Sequence, residues 1–214
     1  MKKLYALALS ILMLTTFSSY AQDRFDFTLQ TGYALSQNVS GSLDYEMQGG
    51  VPPIFLETHW YFLPGPFLNN LGIGAGFGFH HMNTEDTDIG WLWTYGSGAS
   101  GALFYWPVYT SFKYRIPVNT SFIPYFKFDT GYTFFDAEES IMWPDDRDAD
   151  SYVWGGAYIG LSAGITLARI INIELNYNIL NSAIGTDYRY SGYWQYWEEE
   201  YTAKVFSITA GICL

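Results

Sequence analysis

The chain has 214 residues, 21 of them acidic and 10 basic, for a formal net charge of −11, and it contains a single cysteine, Cys213. Such acidity argues against a phosphate backbone as a partner, so no nucleic acid is expected, and one cysteine excludes an internal disulfide and a multi-cysteine metal site, leaving a buried thiol as the expectation. Charged residues are 14 % and aromatics 20 %, whereas an ordinary soluble domain carries about 25 % charged residues, so much of the surface is expected to face something other than water.

Residues 1–21 read MKKLYALALSILMLTTFSSYA. Two lysines, an apolar run from Leu4 to Phe17, and Ser19 and Ala21 at small-residue positions read as a secretory signal peptide, with cleavage expected after Ala21. The run is short of the ~20 residues that span a bilayer as a helix. Loss of Lys2 and Lys3 leaves 8 bases against 21 acids, a net charge of −13. The length fits one domain, here residues 22–214.

Eight segments alternate large apolar residues with period two, the signature of strands. In chain order they are approximately 24–36, 52–62, 70–82, 102–116, 121–135, 154–168, 171–182 and 202–214. The connections after the second, fourth and sixth are short: "LPGPFLNN", "PVNT", and Arg169 with Ile170. Those after the first, third, fifth and seventh are long. Short turns at one end and long loops at the other are the pattern of an outer-membrane barrel, and the segments suit a tilted crossing of about 9 to 11 residues.

The choice of the lipid-facing row rests on the residues opposite it. In "LGIGAGFGFHH", Leu71, Ile73, Ala75, Phe77 and Phe79 share one face, and Gly72, Gly74, Gly76 and Gly78 share the other. Glycines in register shield nothing and weaken a strand; inside a narrow barrel they make room for long side chains from neighbouring strands. The sixth segment sets Ile159, Leu161, Ala163, Ile165 and Leu167 against Tyr158, Gly160, Ser162, Gly164 and Thr166. In the seventh, Ile171, Ile173, Leu175, Tyr177 and Ile179 alternate with Asn172, Glu174, Asn176 and Asn178. The apolar rows are therefore assigned to lipid and the small polar rows to the interior.

On these patterns residues 22–214 resemble the small outer-membrane β-barrel family, the group that includes the OmpX, OmpW and OmpA transmembrane-domain proteins. The last segment, "AKVFSITAGICL", fits, with Phe206, Ile208, Ala210, Ile212 and Leu214 on one face, although Leu214 stands where the family usually ends in Phe. The expected fold is all-β, an eight-stranded antiparallel up-and-down transmembrane barrel in the outer membrane with both termini periplasmic. Outer-membrane lipid is its first partner.

Strand parity places Asp26, Glu57, Lys113, Arg115, Lys127, Asp129 and Glu174 indoors. Charges in a narrow lumen are costly unless paired, so they are expected to form a salt-bridge core; an ion path or polar pocket is the alternative. His59 is expected near the turn end and His80 near the outer rim, each with its own polar partner rather than in a metal or catalytic set. No serine is close in sequence to His59, and "FHHMNTED" has no His-x-Ser, so no catalytic constellation is expected. No cofactor is indicated.

The loops at 37–50, 83–100, 136–152 and 183–201 hold 16 of the 21 acids and only two bases, Arg147 and Arg189. This rim should repel anions and attract cations. In "DDRDAD", Asp146, Asp148 and Asp150 alternate as at the start of a calcium loop, but Ser151 and Ala157 occupy the places of its glycine and bidentate glutamate. Loose binding of Ca²⁺ or Mg²⁺ and a merely solvated loop both remain open.

Trp60, Phe62, Trp106, Tyr114 and Phe134 lie near strand ends and read as membrane-interface girdles. The stretch "YRYSGYWQYWEEEY", 188–201, is expected to be a protruding hairpin turning at Ser191 and Gly192. Tyr188, Tyr190, Tyr193 and Trp194 near its tip form a candidate contact surface for host or envelope molecules. Tyr201 would join the upper girdle, and Glu198 to Glu200 would lie in the headgroup zone. The functional expectation is a structural, adhesive or surface-interaction barrel; the alternatives are a small channel for hydrophobic or cationic solutes and, behind it, a lipid-modifying enzyme.

Overall fold

The structure, a computed structural model, describes residues 24–41, 44–47, 51–63, 65, 67–84, 101–118, 121–137, 149–190 and 193–214. The leader read at 1–21, the aspartates Asp146 and Asp148, and the turn residues Ser191 and Gly192 lie outside them. Nine strands are described: β1 (Phe25–Ser40), β2 (Asp44–Met47), β3 (Ile54–Trp60), β4 (Leu71–Thr84), β5 (Gly101–Arg115), β6 (Phe122–Ala137), β7 (Ala149–Leu167), β8 (Ile171–Tyr190) and β9 (Tyr193–Cys213). Each pairs antiparallel with its neighbour, and β1 closes the ring against β9.

The ring has eight staves because β2 and β3 share one place. β3 pairs with Phe25 to Thr31 of β1, and β2 pairs with Gln37 to Ser40 higher on the same strand. The sequence pattern predicts a single strand at 52–62 and a loop at 37–50; the chain instead returns to the sheet early, as β2. Between the two pairings β1 shifts register between Ala34 and Ser36 against β9. Such an irregularity reverses which residues face inward: Asp26, Thr28 and Gln30 are buried below it, and Gln37 and Val39 above.

β8 and β9 run to 20 and 21 residues, well past the segments expected at 171–182 and 202–214. At about 3.3 Å per residue each is roughly 65 Å long, more than a membrane crossing needs. Their register continues without a break from Ile171↔Ile212 to Tyr190↔Tyr193, and β7 runs beside β8 as far as Tyr188, so a three-stranded arm rises above the bilayer.

Outside, the barrel is apolar. Leu29, Phe126, Leu161 and Ile212 each leave more than half of their surface exposed, in company with some thirty other large hydrophobic side chains. A soluble protein does not present such a belt; a barrel in the outer membrane must. Trp60, Phe62, Trp106 and Phe134 are among the exposed rings, and Tyr114 stacks on Phe67 at 4.7 Å. The chain is an integral outer-membrane β-barrel, with the described ends, Arg24 and Leu214, at the short-turn side.

The turn between β7 and β8 carries backbone strain. Ala168 and Arg169 both have positive φ, 50° and 62°, and the Ile170 N–H donates to the Leu167 carbonyl. Two positive φ values are what a tight hairpin turn requires, and Asn or Gly meets that requirement at lower cost than Ala. Ala168→Asn is expected to raise stability by about 0.5 kcal/mol, seen as a higher urea midpoint with unchanged slope.

Candidate functional site

The interior is built by the register. Glu57 of β3 lies opposite Gly76 of β4, and Gly76 opposite Tyr109 of β5. A Cβ on Gly76 would stand 2.3 Å from the Tyr109 ring; its absence lets that ring reach across so that the Tyr109 hydroxyl donates to Glu57 Oε1 at 2.7 Å. Gly164 of β7 does the same for Tyr125, whose hydroxyl donates to Glu174 Oε2 at 2.8 Å. The glycine row thus serves as the floor for inward tyrosines.

Two charge clusters follow. Near the turn end Asp26 receives Lys113 Nζ at 3.4 Å, the Arg115 guanidinium, and the Tyr61 hydroxyl at 3.0 Å. Arg115 also lies over the Tyr61 ring, 3.8 Å from its centre, and Lys113 over Tyr125 at 4.2 Å. Further in, Lys127 Nζ meets Glu57 at 2.5 Å, Glu174 at 2.8 Å and Asp129 at 3.5 Å. Lys113 and Lys127 are directly opposed across β5 and β6. Like charges so placed repel, and each ammonium turns to a different set of carboxylates.

The near balance of four acids and three bases read from the sequence is therefore uneven in space. Two bases serve Asp26, and one ammonium serves three carboxylates. Around them runs a belt of neutral polar groups: Ser162 donates to Asn176 at 2.7 Å, Asn176 to Thr209 at 3.0 Å, and Thr209 to Gln30 at 2.9 Å.

Toward the loop end the filling becomes apolar. Val39, Phe55, Met82, Leu103, Tyr105, Phe135, Leu180, Ile184, Ala203 and Val205 form one buried cluster, in contact with Tyr109 and Tyr158. Tyr201 packs against this cluster and donates to Glu199 at 2.9 Å, with Glu199 itself only 7 % exposed. This corrects two expectations. Tyr201 shares the inward parity of Ala203 and Val205, so it closes the mouth rather than joining the girdle. Of the three glutamates only Glu198 and Glu200 face outward.

The histidines divide. His59 Nε2 and Ser111 Oγ are 2.8 Å apart, and both residues are buried. The sequence reading saw no serine for His59 because the pair is built across three strands, His59 to Gly74 to Ser111; the signal was the inward parity of Ser111, visible only once the register is known. His81 Nδ1 accepts the Val51 N–H at 3.1 Å. His80 Nε2 has no hydrogen-bond partner among the described residues, and its ring meets Phe55 edge-on at 5.2 Å. His80 lies six residues up β4 from Gly74, the residue opposite His59, or about 20 Å along the strand. Among the described residues no three His, Cys, Asp or Glu side chains gather as a metal set, and Cys213 is a buried free thiol.

Asp150 belongs to β7, paired with Asp187, while Asp146 and Asp148 fall outside the described residues. Tyr188, Tyr190, Tyr193 and Trp194 occupy the hairpin, with Tyr188 opposite Gln195 and Tyr190 opposite Tyr193; their side chains are outside the description.

No family model and no curated protein matches the chain. Among solved structures it is similar to the attachment invasion locus protein Ail of Yersinia pestis, solved with the heparin analogue sucrose octasulfate, at 13 % identity and a TM-score of 0.44 over 89 % of this chain and 99 % of that one. It is also similar to the outer membrane protein OprG of Pseudomonas aeruginosa, at 14 % identity and 0.46 over 89 % and 93 %, and to the Escherichia coli outer membrane protease OmpT, at 8 % identity and 0.46 over 90 % and 97 %. Likeness at this level concerns the barrel architecture alone.

Proposed function

We propose that this outer-membrane β-barrel acts through its exterior, as a structural and surface-interaction protein whose interior serves as its core. The observation that carries this reading is the filling of the lumen: the Asp26 and Lys127 clusters occupy the turn half, and a cluster of buried apolar and aromatic side chains occupies the loop half. Eight strands enclose little more than their own side chains. In this role Asp26, Glu57, Lys113, Arg115, Lys127, Asp129 and Glu174 hold the staves together, and function falls to the arm and loops. Planar-bilayer recording tests the proposal: the folded mature protein is expected to pass no discrete current across a range of voltages and salt concentrations, and a reproducible unitary conductance would overturn it.

A second reading, a small solute channel, draws on one specific observation. Among the described residues, buried polar atoms without a hydrogen-bond partner recur along the interior, including His59 Nδ1, Asn178 Nδ2 and Thr133 Oγ1, and groups of that kind favour hydration. The same recording decides between the two. As for catalysis, the His59 and Ser111 pair has the atoms of a base and a nucleophile, but both residues are 0 % exposed, so we read the pair as a structural hydrogen bond. Lipid profiles unchanged by His59→Gln would agree with that role.

A further inference from the structure

Above the apolar belt the outer face of β7, β8 and β9 changes character. Along β9 the outward residues run Ile212, Ala210, Ile208 and Phe206, then Lys204, Thr202, Glu200, Glu198 and Tyr196. On β8, Ile179 is followed by Asn181, Ala183, Gly185 and Asp187 on the same face. β7 sets Trp154 opposite Ala183 and Tyr152 opposite Gly185, while β9 sets Glu200 and Glu198 opposite the same two residues. The result is a shallow trough along a row of small residues, with aromatic rings on one side, Trp154 leaning across onto the buried Gly185, and carboxylates on the other.

Three groups converge over Gly185. A Cβ there would stand 2.4 Å from the Trp154 ring and 3.1 Å from the Tyr196 hydroxyl, and that hydroxyl donates to Glu198 Oε2 at 2.8 Å. The hydrogen bond to Glu198 and the nearby charges of Glu198 and Asp187 hold the Tyr196 phenol above its ordinary range. Trp154, Tyr152 and Tyr196 nonetheless remain 40 %, 46 % and 57 % exposed, and Tyr152 lies 6.3 Å from Trp154 at an interplanar angle of 30°. An indole packed on glycine is pre-organised, which lowers the entropic cost of binding.

Resting on the reading that the protein works through its exterior, we infer that this trough docks an arginine-bearing segment of a partner polypeptide, stacking a guanidinium on Trp154 and pairing it with Glu198 or Glu200. The choice of occupant comes from charge complementarity. A guanidinium is planar enough to lie on an indole face and presents a fork of donors that matches a carboxylate. Anionic saccharides and phosphates would be repelled by the same wall. Lys204, the nearest outward base on β9, lies one row below Thr202, at the level of Ile179, and marks the lower edge of the trough.

The test uses the full mature barrel in phosphatidylcholine nanodiscs, with labelled nona-arginine and nona-lysine as probes and calcium chloride alone in parallel. Nona-arginine is expected to bind more tightly than nona-lysine. Trp154→Ala, Tyr152→Ala and the pair Glu198→Gln with Glu200→Gln are each expected to weaken it about five- to tenfold. Trp154→Phe should retain most of the affinity, and heat-modifiable gel mobility reports whether each variant is folded. Tyr152→Ala leaves the Trp154 ring on Gly185 in place, so it tests recognition even where Trp154→Ala fails to assemble. Equal affinity for both peptides, or indifference to the aromatic changes, would overturn the inference in favour of diffuse attraction to the acidic rim. Saturable calcium binding that needs Glu198 and Glu200 but not Trp154 would overturn it in favour of a cation site. A barrel that binds neither peptide and passes no current loses the trough while keeping its proposed role; a conducting barrel loses the role itself.

Discussion

Replacing Lys127 with alanine is expected to lower the unfolding free energy of the barrel by about 3 to 5 kcal/mol, the usual consequence of removing one partner from a buried ion pair. The magnitude belongs at the upper end because the ammonium has three carboxylates, those of Glu57, Glu174 and Asp129, at 2.5, 2.8 and 3.5 Å. Without it, three acids share one buried space and repel one another. Urea unfolding followed by tryptophan emission, with the slope held constant, measures the loss. The converse change separates pairing from mere polarity. Asp129 has the longest contact to Lys127, so Asp129→Asn removes a surplus charge and is expected to be neutral or stabilising. A large destabilisation by Asp129→Asn would show that all three carboxylates are needed.

Gly76→Val is expected to cost about 1 to 3 kcal/mol through overpacking alone, with a further loss from the displaced Tyr109. The 2.3 Å approach of the glycine's missing Cβ to the Tyr109 ring leaves no space for a side chain. Tyr109 is itself confined: it is buried, its ring lies 4.9 Å from Tyr158, and its hydroxyl is held by Glu57. The companion Tyr109→Phe removes only the hydrogen bond, for about 1 to 3 kcal/mol because the acceptor is charged and buried. Gly76→Val combined with Tyr109→Ala should recover part of the loss if steric conflict is its cause. Additive effects of the two changes would show that the glycine matters for another reason.

Much of the fold was legible without coordinates, because in a barrel local pattern and global position are nearly the same thing. The parity of Asp26, Glu57 and Glu174 within their strands decides whether they point to lipid or lumen, and lipid decides which parity is allowed. Where the two strand faces differ less sharply, the pattern lost its hold. The upper parts of β8 and β9 mix acids, small residues and rings, so the pattern predicts strands shorter than the arm and a girdle position for Tyr201, which belongs to the interior.

The alternation between lipid and lumen in eight staves can be read from the chain alone, because period-two hydrophobicity is a local property that the bilayer enforces one strand at a time. The partners came from the assembled ring: Lys127 with three carboxylates, His59 with Ser111, and Trp154 and the Tyr196 hydroxyl both over Gly185. Each of those meetings depends on the stagger of one strand against the next, and one residue of slip would dissolve it. That stagger is set by the closure of the whole ring, β1 against β9 with its irregularity at Ala34 and Ser36, and no single segment of the chain encodes it.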